Sequence, residues 1–175
     1  MRATYLTGEH VYLRALIADD KATVATWFVG PYPSNATQGE RWLTETYADA
    51  WGGNKPHYLA VVRVADDTPI GGVALTIREN RRGLLHFAMA PWLPESDVLR
   101  AEALRLLVPW VRDDLELMTL GLYLAADEPA TRAVAEELGL REGARLREFV
   151  ARPGGVRTDR LYYQALNAPW RVADA

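Results

Sequence analysis

Ala130-Thr131-Arg132-Ala133-Val134-Ala135-Glu136-Glu137-Leu138-Gly139-Leu140-Arg141-Glu142-Gly143-Ala144-Arg145-Leu146-Arg147-Glu148 is the stretch that decides the fold. It reads as an amphipathic helix stopped by Gly139, followed by a strand that opens on the Glu142-Gly143 turn. Before it, residues 118–125 read as a strand. Residues 96–114 read as a long helix whose apolar stripe is Ala103, Leu104, Leu107, Val108 and Val111. Pro109 sits inside that helix, removes a backbone hydrogen bond and predicts a kink. After it, 141–152 and 158–166 form a hairpin about Pro153-Gly154-Gly155.

The N-terminal half is built differently. Strands are predicted at 57–64, 70–78 and 84–90, with Gly71-Gly72 marking a bulge or a close backbone approach. Ahead of them come a strand at 11–16 and a helix from Asp19-Asp20 to about residue 29. A Gly/Pro/Ser/Asn loop spans 30–35, and a second helix over about 37–51 carries Trp42, Leu43 and Tyr47. The order β-α-α-β-β-β-α-β-α-β-β predicts an α/β (α+β) fold. Its form is a single mixed, mostly antiparallel sheet of about seven strands with helices on both faces. Residues 1–167 form one domain and 168–175 a tail.

Composition narrows the function. The chain has 175 residues, 49% of them hydrophobic, and a net charge of −3, which gives no general attraction for nucleic acid or an anionic membrane. It has no cysteine, which excludes disulfides, thiolate metal sites and a cysteine nucleophile. The three histidines, His10, His57 and His86, lack ligand-like spacing, so no metal is expected. No apolar run approaches the ~20 residues of a membrane span and none resembles a signal peptide, so a cytoplasmic location is expected.

Several segments together resemble the GNAT superfamily of N-acetyltransferases, in particular the branch that acetylates ribosomal-protein N-termini. Gly8-Glu9-His10-Val11-Tyr12-Leu13-Arg14 is similar to the family's opening strand, and Ala90-Pro91 to the end of its fourth. Ala101-Glu102-Ala103-Leu104-Arg105-Leu106-Leu107 is similar to its cofactor helix. Gly143 to Glu148, followed by Asp159 and Tyr162, is similar to its closing hairpin. The resemblance implies acetyl-CoA as co-substrate, held between two splayed strands with its pyrophosphate on a helix N-terminus. By position, Ala88, Met89, Ala90, Leu99, Arg100 and Ala101 would hold it. The family's glycine-containing loop is replaced here by Pro94-Glu95-Ser96-Asp97-Val98, without any glycine between Gly83 and Gly121. Glu95 and Asp97 are expected to cap the long helix themselves, which places two carboxylates where a phosphate belongs.

Direct transfer to an amine needs a base for the ammonium and an acid for the departing thiolate. His86 is the candidate base by type, on the predicted fourth strand, and Glu148 on the 141–152 strand is the second. Thr131 matches the hydroxyl that the ribosomal-protein branch uses as acid. Among six tryptophans, Trp27 and Trp42 lie in the helices that cover the acceptor site in this fold; with Tyr123 they are the candidate substrate-binding residues. Trp92 and Trp110 are placed to fill space near the altered loop. The expected function is acyl-CoA-dependent N-acyl transfer to a small-molecule or protein N-terminal amine. The alternatives are a non-catalytic GNAT-fold binding or regulatory protein and a repurposed GNAT fold that no longer binds CoA normally. The last two strands are available to pair across a homodimer.

Overall fold

The computed structural model describes residues 6–27, 35–47, 56–78, 81–90 and 93–166. The predicted tail, Trp51, Phe28, Trp92 and most of the 30–35 loop lie outside them, as does the side chain of Trp27. The strands are β1 (Leu6–Thr7), β2 (Val11–Ala15), β3 (His57–Arg63), β4 (Thr68–Arg78), β5 (Arg82–Met89), β6 (Thr119–Ala125), β7 (Arg141–Ala151) and β8 (Arg157–Leu166). The helices are α1 (Lys21–Trp27), α2 (Ala36–Trp42, continued by a wider turn over Leu43–Tyr47), α3 (Ser96–Asp113) and α4 (Pro129–Glu137). All eight strands form one sheet in the order β1-β2-β3-β4-β5-β6-β8-β7. Every neighbouring pair is antiparallel except β5–β6, which is parallel. The short β1 is the strand that the sequence pattern did not predict.

Strand alternation divides the sheet into two faces. Leu13, Val61, Val73, Leu75, Leu85, Phe87, Leu122, Leu124, Leu161 and Tyr163 point to one face, where the stripe of α3 and Val134 and Ala135 of α4 cover them. Each fully buried Leu there contributes about 1.5–3 kcal/mol. A smaller cluster of Leu16, Val24, Ala60 and Val62, with Trp42, Leu43 and Tyr58, packs on the other face under α1 and α2. A bidentate Arg14–Asp20 pair (2.7 and 2.8 Å), with side chains 11% and 2% exposed, ties the turn before α1 to β2.

The glycine signals fall where a backbone device is needed. Gly139 ends α4 at φ +87, with its amide on the Glu136 carbonyl and that of Leu140 on the Ala135 carbonyl. The β3–β4 register slips between Val61 and Val62, leaving Ile70 as the bulged residue. At Gly71 a Cβ would lie 2.5 Å from Met89 Sδ and 2.9 Å from the Ala88 carbonyl oxygen, so β5 closes on bare backbone there.

Candidate active site at a parted strand pair

β5 and β6 run side by side only from Arg82↔Thr119 to Leu85↔Leu122. Beyond that point His86–Met89 continue along β4, Tyr123–Ala125 continue along β8, and the two strands part. The Ala90 amide donates to Ile70 of the β4 strand end at 2.8 Å. By alternation the amides of His86 and Ala88 also face β4, whereas those of Phe87 and Met89 face the gap. On the far side the Ala126 amide donates to the Asp159 carbonyl at 2.9 Å, so the Ala125 amide turns toward the gap, where Glu128 Oε2 accepts it at 2.9 Å.

The start of α3 overturns one expectation. Glu95, at the cap position, makes no capping hydrogen bond and is exposed. The carboxylate of Asp97 reaches across to α4 instead. It accepts from the Ala130 amide (2.8 Å), the Thr131 amide (3.0 Å) and the Thr131 hydroxyl (2.6 Å). Asp97 is therefore the N-terminal cap of α4, supplied by another helix, and the acids of the loop do not occupy the end of α3.

Four charged groups surround the mouth of the gap. Arg100, in the first turns of α3, pairs with Glu128 at 2.5 Å; Arg152 pairs with Asp127 at 2.8 Å and with Glu128 at 3.1 Å. The Arg152 guanidinium holds the Asp127 carboxyl below the usual range, its hydrogen bond being the main cause. Arg100 Nε is buried without a hydrogen-bond partner.

Across the sheet a row of side chains lies on the α1–α2 face: Tyr58, Ala74, His86, then Tyr123 and Tyr162. His86 is open to this face, yet the surrounding protein removes enough water to lower its pKa, and the positive charges of Arg160 and Arg100 lower it further. Trp42 meets Tyr58 edge to face at 4.7 Å, at one end of the row. At the other, Tyr123 and Tyr162 meet at 5.2 Å with their ring planes tilted by 48°, and the Tyr162 ring lies against Gly121, where a Cβ would lie 2.6 Å from its hydroxyl.

The predicted site residues thus separate. His86, Trp42 and Tyr123 share the open face. Thr131 is fully buried on the α3–α4 face, its hydroxyl bonded to Asp97. Glu148 sits on a bulge of the outer strand β7 at φ +49, its amide on Asp159 and its carbonyl on Arg157. Three strand spacings, about 14 Å, separate it from β5. Met89 faces the gap through its backbone, and Ala88 and Ala90 through neither amide. Leu99 and Ala101 are core residues of α3, 8% and 4% exposed, and Arg100 alone of that trio stands at the gap. Trp110 is half-buried at the opposite end of α3, about 20 Å from Glu95 by helix rise, and does not flank the loop. Phe87, Gly121, Glu128 and Arg160 were not singled out by the sequence, because only the pairing of β5, β6 and β8 brings them to the gap and the open face. Among the described residues no group of three His, Asp or Glu is placed to hold a metal ion, and no helix is long and apolar enough to cross a membrane.

One cavity of about 320 Å³ is lined by Glu9, His10, Arg63, Val64, Ala65, Glu95 and Leu99. It lies between the start of α3 and the β2–β3 end of the sheet, and does not contain the row of aromatic residues.

The family model of the Acetyltransferase (GNAT) domain matches residues 7–141, which include the parted strands and α3. The chain belongs to the GNAT acetyltransferase family. A crystal structure from Sphaerobacter thermophilus DSM 20745, whose acetyltransferase designation is itself provisional, is 46% identical. It superimposes with a TM-score of 0.77 over 95% of this chain and 99% of that one. The ribosomal-protein-S5-alanine acetyltransferase of Vibrio fischeri is 16% identical (TM-score 0.69; 95% and 98% covered). A mutant form of the spermidine/spermine N-acetyltransferase of Vibrio cholerae is 22% identical (TM-score 0.66; 94% and 99% covered). These last two share the fold alone. No curated protein matches the sequence. In GNAT terms, β5 and β6 correspond to the family's splayed strand pair and α3 to the long helix between them.

Proposed function

We propose that the protein transfers an acetyl group from acetyl-CoA to an amine that binds over the Tyr58–His86–Tyr123 row. The observation that carries this reading is the parted β5–β6 pair, whose Phe87 and Met89 backbone groups face a gap leading to the end of α3. The residues present fit the co-substrate: free backbone donors and acceptors for an amide-bearing chain, an α3 end left uncapped by its own acids, and Arg100 with an orphaned Nε. When bound, acetyl-CoA supplies an acyl thioester that a neutral amine attacks directly, so no enzyme nucleophile is required.

The chain's own contribution is to hold the amine and take its proton. His86 has a ring free of hydrogen bonds to the described residues and a pKa lowered by burial and by Arg160 and Arg100, so it stands neutral at pH 7. Its ring nitrogen accepts the proton that an ammonium must lose before attack, and the imidazolium so formed would return that proton to the departing thiolate, while the second amine proton goes to solvent. Trp42 and Tyr58 wall one side of the acceptor, and Tyr123 and Tyr162 the other. Thr131 holds α4 to α3 through Asp97 and is not assigned a proton-transfer role.

A second reading, a GNAT fold that holds no acyl-CoA, is favoured by one observation: Glu128 already occupies the Ala125 amide inside the gap. Free-thiol release from acetyl-CoA in the presence of a panel of primary amines separates the two. Amine-dependent release, slowed by about 10²-fold or more in His86→Gln, supports acyl transfer. No release with any amine favours the second reading.

A further inference from the structure

Arg160 lies on the same face as His86, opposite Ala125 in the register and one step beyond the Tyr123–Tyr162 pair. Its guanidinium stands 4.5 Å from the centre of the Phe149 ring and 5.9 Å from that of Tyr123. Arg100, Arg145, Arg152 and Arg157 nearby are all committed to carboxylates or carbonyls. Arg160 has neither a hydrogen bond nor an ion pair among the described residues. Two rings flank the cation and none of its N–H groups is taken up by an acceptor among the described residues, so its edge is available to meet a carboxylate in two parallel hydrogen bonds. Large apolar side chains are exposed beside it: Phe149 is 52% exposed, Leu146 46% and Tyr123 38%. In the register Leu146 lies directly opposite Arg160. A half-buried cation without a counter-ion, set in exposed aromatic and aliphatic surface, is suited to an organic anion.

We propose that the acceptor is an aminocarboxylate with an apolar body, whose carboxylate is read by Arg160 while its amine reaches His86. This rests on the acyl-transfer reading and names its substrate class. The lowered pKa of His86 agrees with it, because the same guanidinium acts on both groups. A polyamine in this position would bring a second ammonium against the guanidinium and is selected against.

Two measurements test the proposal, and one needs no catalysis. In the first, the arginine Nε–Hε resonances of the protein are followed by NMR during titration with 3-phenylpropionate, which has a carboxylate and no amine. The resonance that disappears in Arg160→Met is expected to shift and saturate, and phenethylamine is expected to leave it unmoved. In the second, acetyl-CoA thiol release is compared across free amino acids, their amides and spermidine. The free acids are expected to exceed the amides by about tenfold or more in kcat/KM. Arg160→Met is expected to erase that preference through the acceptor KM, with Arg160→Lys keeping part of it and the acetyl-CoA KM changing by less than about twofold. An unmoved Arg160 resonance, or amides as good as acids in both proteins, overturns the proposal. So does a rise confined to the acetyl-CoA KM, which would assign the guanidinium to a co-substrate phosphate. If no amine supports release while the carboxylate still shifts Arg160, the acyl-transfer reading fails and the anion site stands.

Discussion

Replacing Asp97 with alanine removes a carboxylate that three donors share. The Ala130 amide, at a half-buried position, regains water as a partner. The Thr131 amide does not, since Thr131 is fully buried, and its hydroxyl keeps only the Asp97 carbonyl at 3.1 Å. A buried donor left without a partner costs about 1–3 kcal/mol, and the lost charge-assisted hydroxyl bond adds to it, so a destabilisation of about 2–4 kcal/mol is expected. In urea unfolding this moves the midpoint down by about 1–2 M with little change in slope. A double-mutant cycle with Thr131→Val should return a coupling of about 1 kcal/mol or more, because the two residues share one network. The same variant should leave acetyl-CoA affinity no tighter than in the wild type, since the carboxylate faces α4. A stability change below about 0.5 kcal/mol, the range of an ordinary surface substitution, would refute the cap. Tighter acetyl-CoA binding by Asp97→Ala would show that the acid does stand against the pyrophosphate.

Three further outcomes follow from the same geometry. Asp20→Ala strands a half-buried Arg14 and frees the Ile17 amide, so it should cost about 3–5 kcal/mol in chemical denaturation. Gly71→Ala drives a methyl into Met89 and the Ala88 carbonyl; it should destabilise by about 1–3 kcal/mol and shift the β5 amide resonances. For His86 the folded pKa lies below the ordinary value of about 6.5, so the ring stays neutral above it. The acid limb of kcat/KM for the amine, which reports the free enzyme, should have its midpoint below that value and vanish in His86→Gln. The stability that this group contributes is full above about pH 6.5 and is lost as pH falls through the lowered pKa.

Much of the fold was legible because it is written in local signals. Alternation at 57–64, 70–78 and 84–90, the stripe of α3 and the Gly139 stop each act within a few residues, and the adjacent Gly71-Gly72 signalled the close approach of β5 and the bulge beside them at Ile70. β1 escaped because two residues carry no period. The site was legible only in part. His86 and Tyr123 could be placed on strands by alternation, but the partner of Asp97 lies 33 and 34 positions away, and nothing in Glu95-Ser96-Asp97 distinguishes a cap on its own helix from one on α4. Arg160 likewise looks like any strand-exposed arginine until β6 and β7 bring Tyr123 and Phe149 to its two sides.

The central claim is that the gap between β5 and β6 accepts an acyl-CoA although the familiar glycine loop is absent. Isothermal titration of the wild-type protein with acetyl-CoA, with CoA as control, tests it most directly. Saturable binding with a Kd in the micromolar range is predicted, which corresponds to about −8 kcal/mol. No heat and no thermal stabilisation at millimolar acetyl-CoA would contradict it, and would leave Glu128 as the permanent occupant of the gap.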